Sequence, residues 1–278
     1  MKFHHNCLLL ILSSFLGAAL FAAERTGNNI MPDNAALLFH YAENKRWDDF
    51  QITLREKFLP KDKNGQDFTT RDGLTLLHFA VQANQEKVVD LLLIMKACVK
   101  THGCFEKDGE IIQVATPLHH AARLGYAPIA EKLIKACPDS INSTICQYDA
   151  TPLHVAVWHN QPNIVELLLG KGANCSIQNN QGSTPFHLAV WQKTSSILKI
   201  LLESNQPTLA TLMQLNNNYN SALALTVLYS SQDGQVRQEV HNIFIKYLSK
   251  FPTDEVKAYI DRDPILTILQ VAQNLLTQ

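Results

Sequence analysis

The chain has 278 residues, of which 46% are hydrophobic, and its 24 basic and 25 acidic residues give a net charge of −1. A near-neutral chain without a basic block gives little support for nucleic-acid binding. The length suits one large domain, two small ones, or a repeat array, which has no such size limit.

The first 23 residues differ in character from the rest. Lys2 precedes an apolar run from Cys7 to Phe21, which ends at Ala22 and Ala23. This order predicts a secretory signal peptide at residues 1–23. The alternative is an uncleaved membrane anchor, but about 15 apolar residues are short for a span that needs about 20. We therefore expect a secreted or periplasmic chain without stable membrane insertion after cleavage.

Residues 24–33 then form a predicted linker that is rich in polar and turn-forming residues. From Asn34 to Phe58, apolar residues recur at helical spacing. Because the end unit of a repeat array must present one polar face to water, residues 34–69 are predicted to be a degenerate N-terminal capping repeat.

A four-residue motif then recurs along the chain. Its copies begin at Thr75, Thr116, Thr151 and Thr184, in steps of 41, 35 and 33 residues, and an eroded copy begins at Ser221. Steps of this size predict a stacked repeat array.

The best copy shows why these residues recur. Thr151 can cap a helix, and Pro152 suits the first helical position because it lacks the N–H that would go unpaired there. A second apolar helix follows at residues 163–169, and Gly170 and Gly172 flank its end. Each helix is too short to be stable alone, so stacking on neighbours is required.

A capped Thr-Pro-Leu-His helix, a reverse turn and a Leu-Leu helix ending in Gly-Lys-Gly-Ala-Asn resemble the ankyrin repeat family over roughly residues 70–205. The resemblance implies an all-α solenoid of helix-turn-helix units with β-hairpin or turn fingers and helical caps. The expected units are repeat 1 with an enlarged finger (70–110), repeats 2 to 4 (111–145, 146–178 and 179–215), a degenerate repeat 5 (216–252) and a C-terminal helical cap (253–278).

The enlarged finger falls within Lys100 to Val114. Asp108 and Gly109 stand between two short β-prone runs, which predicts a β-hairpin. Such a loop can carry function, but repeat arrays also tolerate insertions that have no role. Both readings stay open.

The motif histidines could suggest a metal site, but a metal needs several ligands that converge on one point. One histidine per repeat gives a row instead, and the resemblance implies structural residues that hydrogen-bond across the repeat turn. No metal and no cofactor are expected. The motif pairs are Thr75 and His78, Thr116 and His119, Thr151 and His154, and Thr184 and His187.

Five cysteines follow the predicted leader, so at least one must remain unpaired. Cys137 and Cys146 form the candidate disulfide if the compartment is oxidising. In a reducing compartment, all five cysteines would instead be reduced side chains that fill space in the core. Cys175 is expected in the core.

The resemblance implies a binding groove lined by the end of each first helix, and fingers formed by the turn tips. The side chains of Trp158 and Trp191 could instead pack into the scaffold, but a monomer gains little from two bulky rings on an exposed row. Lys193 replaces the usual glycine between helices, so the turn after Trp191 is expected to be remodelled. The groove residues are Gln82, Ala83, Arg123, Leu124, Trp158, His159, Trp191 and Gln192, and the finger residues are Arg71, Asp72, Gln147, Tyr148, Asn180 and Gln181.

Since no nucleophile elbow, phosphate loop or paired-carboxylate pattern occurs in the sequence, the expected function is not enzymatic. The sequence indicates a monomer that binds an unidentified protein partner, as a scaffold, inhibitor or secreted effector. Two alternatives remain: a structural or protective protein of the cell envelope, and an enzyme with a cryptic site.

Overall fold

The computed structural model describes residues 33–56, 67–69, 74–101, 104–107, 110–113, 115–145, 148–204, 207–228, 234–263 and 266. The predicted signal peptide lies outside these ranges, and so does the predicted linker except for Asp33, which already begins the first helix. The chain divides into two compact bodies. Body 1 runs up to Ala121 and includes residues 135–138, and body 2 comprises residues 122–134 and 139–278.

Short helices in pairs make up most of both bodies. In chain order, the described elements begin with α1 (Asp33–Glu43), α2 (Trp47–Glu56), α3 (Leu76–Gln82), α4 (Glu86–Ile94), β1 (Cys104–Lys107), β2 (Glu110–Gln113) and α5 (Pro117–Leu124). The elements that follow are α6 (Ala127–Ala136), a 3-10 helix (Pro138–Asn142), α7 (Pro152–Trp158), α8 (Pro162–Gly170), α9 (Pro185–Trp191), α10 (Ser195–Glu203), α11 (Leu209–Leu212), α12 (Ala222–Leu228), α13 (Gly234–Leu248) and α14 (Thr253–Ile260).

The first helix of each pair is called inner and the second outer. In body 2 the inner helices α7, α9 and α12 stack in that order, and the outer helices α8, α10 and α13 stack beside them. In body 1, α1 packs on α2, α3 packs on α4, and α1 packs on α3. The predicted all-α solenoid of helix-turn-helix units is confirmed.

Stacking buries one apolar face of the paired helices, as α7 and α8 show. In α7 the fully buried residues are Leu153, Ala156 and Val157, and in α8 they include Ile164 and Leu168. Full burial of one such aliphatic side chain stabilises the fold by about 1.5–3 kcal/mol. The small Ala156 lets the neighbouring helices approach closely.

The turn between inner and outer helices needs a residue in the left-handed region. Asn84, Asn160 and Lys193 occupy it with φ of 55°, 52° and 57°. The N–H of Lys193 donates to the carbonyl of Val190 at 3.1 Å, as the N–H of Asn160 does to Val157. The expected remodelling after Trp191 is therefore wrong, because the stacking of α9 and α10 imposes the common turn on lysine.

The hairpin predicted between Lys100 and Val114 is confirmed. Strands β1 and β2 pair antiparallel, with Phe105 opposite Ile112. Two short elements were not predicted, namely the 3-10 helix and α11. In α11 the hydroxyl of Thr208 accepts the N–H of Thr211 at 3.2 Å, a cap that the sequence could have indicated.

The C-terminal region continues the repeat pattern and then leaves it. In α13, Val240, Phe244 and Leu248 face the core, and α14 begins directly after Pro252. No residue of α14 is buried. Beyond Asp263, the only residue of the predicted C-terminal cap that the structure describes is Leu266, and it is buried. None of the helices in the described part combines the length and the apolar character that a membrane crossing requires.

Candidate functional site

The inner helices α3, α7 and α9 each begin with a threonine cap that a histidine three residues later completes. At α7 the N–H of His154 donates to the hydroxyl of Thr151 at 3.4 Å, and the N–H of Thr151 donates to Nδ1 of His154 at 3.2 Å. The same reciprocal pattern is present at Thr75 with His78 and at Thr184 with His187. This reciprocal arrangement, called a capping box, satisfies two backbone donors that a helix end would otherwise leave unpaired.

The other ring nitrogen of these histidines reaches the next repeat. Nε2 of His154 lies 3.0 Å from the carbonyl oxygen of Ser183, and Nε2 of His187 lies 3.0 Å from that of Asn220. In body 1, Nε2 of His78 lies 2.8 Å from the carbonyl oxygen of Ala115. In each case the acceptor residue directly precedes the next repeat's capping residue. The histidines therefore bridge repeats as well as capping their own helices.

These contacts fix the protonation of the rings. A backbone N–H can only donate, so Nδ1 must be the unprotonated acceptor, and Nε2–H must donate to the carbonyl. Burial lowers the pKa of His78 to about 3, and the neighbouring His120 adds to this effect. Burial likewise lowers the pKa values of His154 and His187 to about 4. The imidazoles are thus neutral at physiological pH.

His119 follows the same pattern at its own cap, where its Nδ1 lies 2.7 Å from the hydroxyl of Thr116. Within the described residues, no group of three or more His, Cys, Asp or Glu side chains could hold a metal ion. Cys175 is a buried free thiol, and burial raises its pKa. Cys137 is half-buried, and its suggested partner Cys146 lies outside the described residues.

The inner helices end in a row of exposed side chains in body 2. Trp158 and Trp191 are the last residues of α7 and α9, and they are 48% and 57% exposed. Each directly follows a buried valine, and one residue further along a helix turns the side chain by about 100°. The rings therefore point away from the core that Val157 and Val190 enter.

Arg123 holds the equivalent position in α5, since it also lies seven residues after its capping threonine, and it is exposed. The side chain of Gln161 donates to the carbonyl oxygen of Arg123 at 3.3 Å, which ties the end of α5 to the following repeat. His159 lies next to this point. Partial burial lowers the pKa of His159, and the positive charge of Arg123 lowers it further. Arg123 and His159 therefore lie close together.

Arg123, Trp158 and Trp191 are called the tryptophan strip below. The caps that follow these helix ends add His159 and Gln192, and Leu124 ends α5. Leu124 and Gln192 are half-buried. Gln82 and Ala83 take the corresponding places at the end of α3, where both are half-buried, but they belong to body 1.

The finger tips in body 2 are joined by hydrogen bonds. The N–H of Asn180 donates to the carbonyl of Tyr148 at 2.9 Å, and the N–H of Asn217 donates to that of Gln181 at 3.0 Å. The side-chain amide of Asn217 also donates to the carbonyl of Asn180 at 2.9 Å. Three successive tips thus form one connected edge.

Two tyrosines stand on this edge. Tyr148 is 54% exposed and Tyr219 is 69% exposed. Tyr219 was not among the predicted finger residues, although its position just before the eroded cap at Ser221 could have shown this. Asn180 and Gln181 are exposed, whereas Arg71, Asp72 and Gln147 lie outside the described residues.

Three family models match the chain. A model described as three copies of ankyrin repeats matches residues 100–179, and one described as many copies of ankyrin repeats matches residues 164–202. A model of a single ankyrin repeat matches residues 72–101. The matched region begins just before α3 and ends within α10, so it includes the helix pairs that carry the tryptophan strip.

Proposed function

This chain belongs to the ankyrin repeat family through residues 72–202, and on that basis we propose that it binds a protein partner through the tryptophan strip and the finger tips of body 2. Ankyrin repeats generally mediate protein–protein interactions, and their proteins are typically non-catalytic. We infer that this chain also acts by binding and not by catalysis.

The proposal rests on the exposure of Trp158 and Trp191 at equivalent positions of two stacked helices. Tryptophan and arginine are among the residues most enriched where single side chains dominate a protein interface. Two large, half-exposed rings cost solvation free energy that a bound partner would recover. Their neighbour Arg123 adds a charged donor to the same row.

The finger tips of body 2 also favour this binding face. Because hydrogen bonds link Tyr148, Asn180 and Asn217, little conformational entropy remains to be lost when a partner contacts them. Tyrosine and asparagine offer aromatic area and adaptable hydrogen bonds, which is the combination that binding loops favour. Side chains on helix ends and side chains on rigid turns would then engage one partner together.

The test compares capture of a partner by the chain and by a Trp158→Ala/Trp191→Ala double variant. A matched control, Ile94→Ala/Ile245→Ala, removes two apolar side chains that are 76% and 47% exposed outside the strip. We expect the wild type and the control to retain the partner and the strip variant to lose it, with equal helical circular dichroism in all three. A partner kept by the strip variant would refute this binding face. Self-association that buries the tryptophans would favour the structural role.

We further propose that the chain is exported. The support is the basic start, the apolar run and the small-residue exit of residues 1–23. Expression of the full chain with a C-terminal tag, followed by N-terminal sequencing of the product outside the cytoplasm, tests it. Cleavage near Ala23 is expected, and an uncleaved product that stays in the cytoplasm would overturn the proposal. An exported binding module would act as a secreted effector or inhibitor.

A further inference from the structure

The tryptophan strip continues onto α12, the last inner helix. Leu228 ends α12 and lies seven residues after Ser221, just as each member of the strip lies seven residues after its capping threonine. The N–H of Ala224 donates to the hydroxyl of Ser221 at 3.1 Å, so the eroded motif still caps this helix. The side chain of Leu228 is 39% exposed. Arg123, Trp158, Trp191 and Leu228 are called the extended strip below.

Contacts between neighbouring repeats fix the order of the extended strip. Helix α9, which ends in Trp191, packs on both α7 and α12. At the other end of the row, the side chain of Gln161 donates to the carbonyl of Arg123. Arg123 also lies close enough to His159, the residue after Trp158, to lower its pKa. The row therefore begins with a guanidinium and continues through two indoles to an aliphatic side chain.

The charges along this row have one sign. The row is built from the helix ends and turns at residues 122–126, 158–161 and 191–194 together with Leu228. These stretches contain Arg123 and Lys193 but no aspartate or glutamate. None of the ion pairs in the described part of the chain involves Arg123. Because charges across a protein interface are complementary, a positive row without carboxylates of its own favours a ligand that supplies them.

The rest of the row is apolar and open to solvent. The exposed fractions are 48%, 57% and 39% for Trp158, Trp191 and Leu228. Removal of such surface from water favours association, whereas a guanidinium–carboxylate pair mainly determines which partner fits. A ligand that is only acidic would leave three apolar side chains in water. A ligand that is only apolar would remove Arg123 from water without an ion-pair partner, which costs free energy.

We propose that the extended strip binds an acidic, amphipathic segment of the protein partner. The segment's apolar side chains cover Trp158, Trp191 and Leu228, and one of its carboxylates pairs with Arg123 at the end of the row. Neutral and basic segments bind more weakly, because they leave Arg123 desolvated and unpaired. This assignment rests on the proposed function and specifies the partner's chemistry.

The test begins with random peptides of about a dozen residues, displayed on phage and selected on the full chain. Peptides that also bind the Trp158→Ala/Trp191→Ala variant are removed, so the remaining ones require the strip. Their sequences report which chemistry the surface accepts, with no assumption about the natural partner. We expect them to combine large apolar residues with aspartate or glutamate and to lack lysine and arginine.

The most enriched peptide is then synthesised with a fluorescein label, and its binding is followed by anisotropy. Arg123→Glu should weaken binding about tenfold, and lysines in place of the peptide's carboxylates should restore binding to that variant. Leu228→Ala should weaken binding about fivefold, because it removes apolar area at the other end of the row. The controls Lys257→Glu and Ile245→Ala change an exposed charge and an exposed apolar side chain elsewhere in body 2, and they should leave binding unchanged.

Neutral or basic peptides among those selected, or no strip-dependent peptide at all, would overturn the inference. Undiminished binding by Arg123→Glu or by Leu228→Ala would do the same. If a partner is nevertheless captured in a manner that depends on Trp158 and Trp191, the proposed function stands and only its assigned chemistry is wrong. If capture does not depend on the tryptophans either, both proposals fail.

Discussion

The capping histidines His78, His154 and His187 each serve two repeats at once. His154 completes the cap of its own helix through Nδ1 and donates from Nε2 to the carbonyl of Ser183 in the next repeat. Both atoms are buried, so neither contact could be replaced by water. Leaving a buried polar group unpaired costs about 1–3 kcal/mol.

We predict that His154→Ala lowers the free energy of unfolding by about 2–4 kcal/mol, because it leaves the N–H of Thr151 and the carbonyl of Ser183 without their partners. His159→Ala is the matched control, since His159 is exposed, and its effect should stay within about 0.5 kcal/mol. Urea denaturation followed by circular dichroism measures both. Similar losses for the two variants would show that the bridge between repeats does not stabilise the fold.

At the scale of elements, the turns decide how closely consecutive units can approach. Gly182 has φ of +69°, and a Cβ at this position would lie 2.7 Å from the backbone nitrogen of Asn217. Gly172 has φ of +91°, but a Cβ there would meet nothing within 4 Å. Gly182 is thus required both by its left-handed backbone and by the close approach of the next finger, whereas Gly172 is required by its left-handed backbone alone.

Gly172→Ala should therefore cost about 1–2 kcal/mol, the strain of a left-handed non-glycine residue. Gly182→Ala should cost more, by at least about 1 kcal/mol, because the backbone of the neighbouring finger must move. Thermal unfolding of the two variants measures the difference. A Gly182→Ala variant as stable as Gly172→Ala would contradict the close contact between the finger tips.

At the scale of the whole molecule, buried contacts hold the repeats together more than surface ion pairs do. The ion pairs Lys171–Glu131 and Lys199–Glu239 join outer helices, but their side chains are about half exposed. Such pairs contribute at most about 1 kcal/mol each. The apolar stacking and the neutral histidine bridges provide the larger share, and the bridges make stability depend on pH.

The pKa values of His154 and His187 are about 4 and that of His78 is about 3 in the folded chain, compared with 6.5 for an ordinary histidine. At a pH between the folded and the unfolded pKa of a histidine, only the unfolded state binds a proton on its imidazole. The contribution to stability is therefore complete above about pH 6.5 and is lost as the pH falls towards 4 and then 3.

We predict that each of these histidines adds a slope of up to about 1.4 kcal/mol per pH unit in that range. Urea titrations between about pH 7 and pH 4 measure the slope. His154→Ala should flatten it by about that amount, because alanine takes up no proton in either state. Identical slopes for the variant and the wild type would show that His154 is not neutral in the folded chain.

Local rules explain how much the sequence predicted. The threonine caps, the proline at the first helical position and the hairpin each depend on a few neighbouring residues. The exposure of Trp158 and Trp191 also follows from local periodicity, because each comes one residue after a core valine. The repeat pattern did not predict the short helix α11, because its capping residue, Thr208, lies outside the repeat motif.

The sequence by itself determined the repeat period, the inner and outer helices, and which row of side chains points away from the core, since caps and helical periodicity are properties of the local chain. Only the tertiary structure decided the rest. The bonds from His154 to Ser183 and from Asn180 to Tyr148 join residues about a repeat apart, and the left-handed turn at Lys193 is imposed by the packing of α9 on α10. These features depend on how one repeat stacks on the next, and no local pattern specifies that stacking.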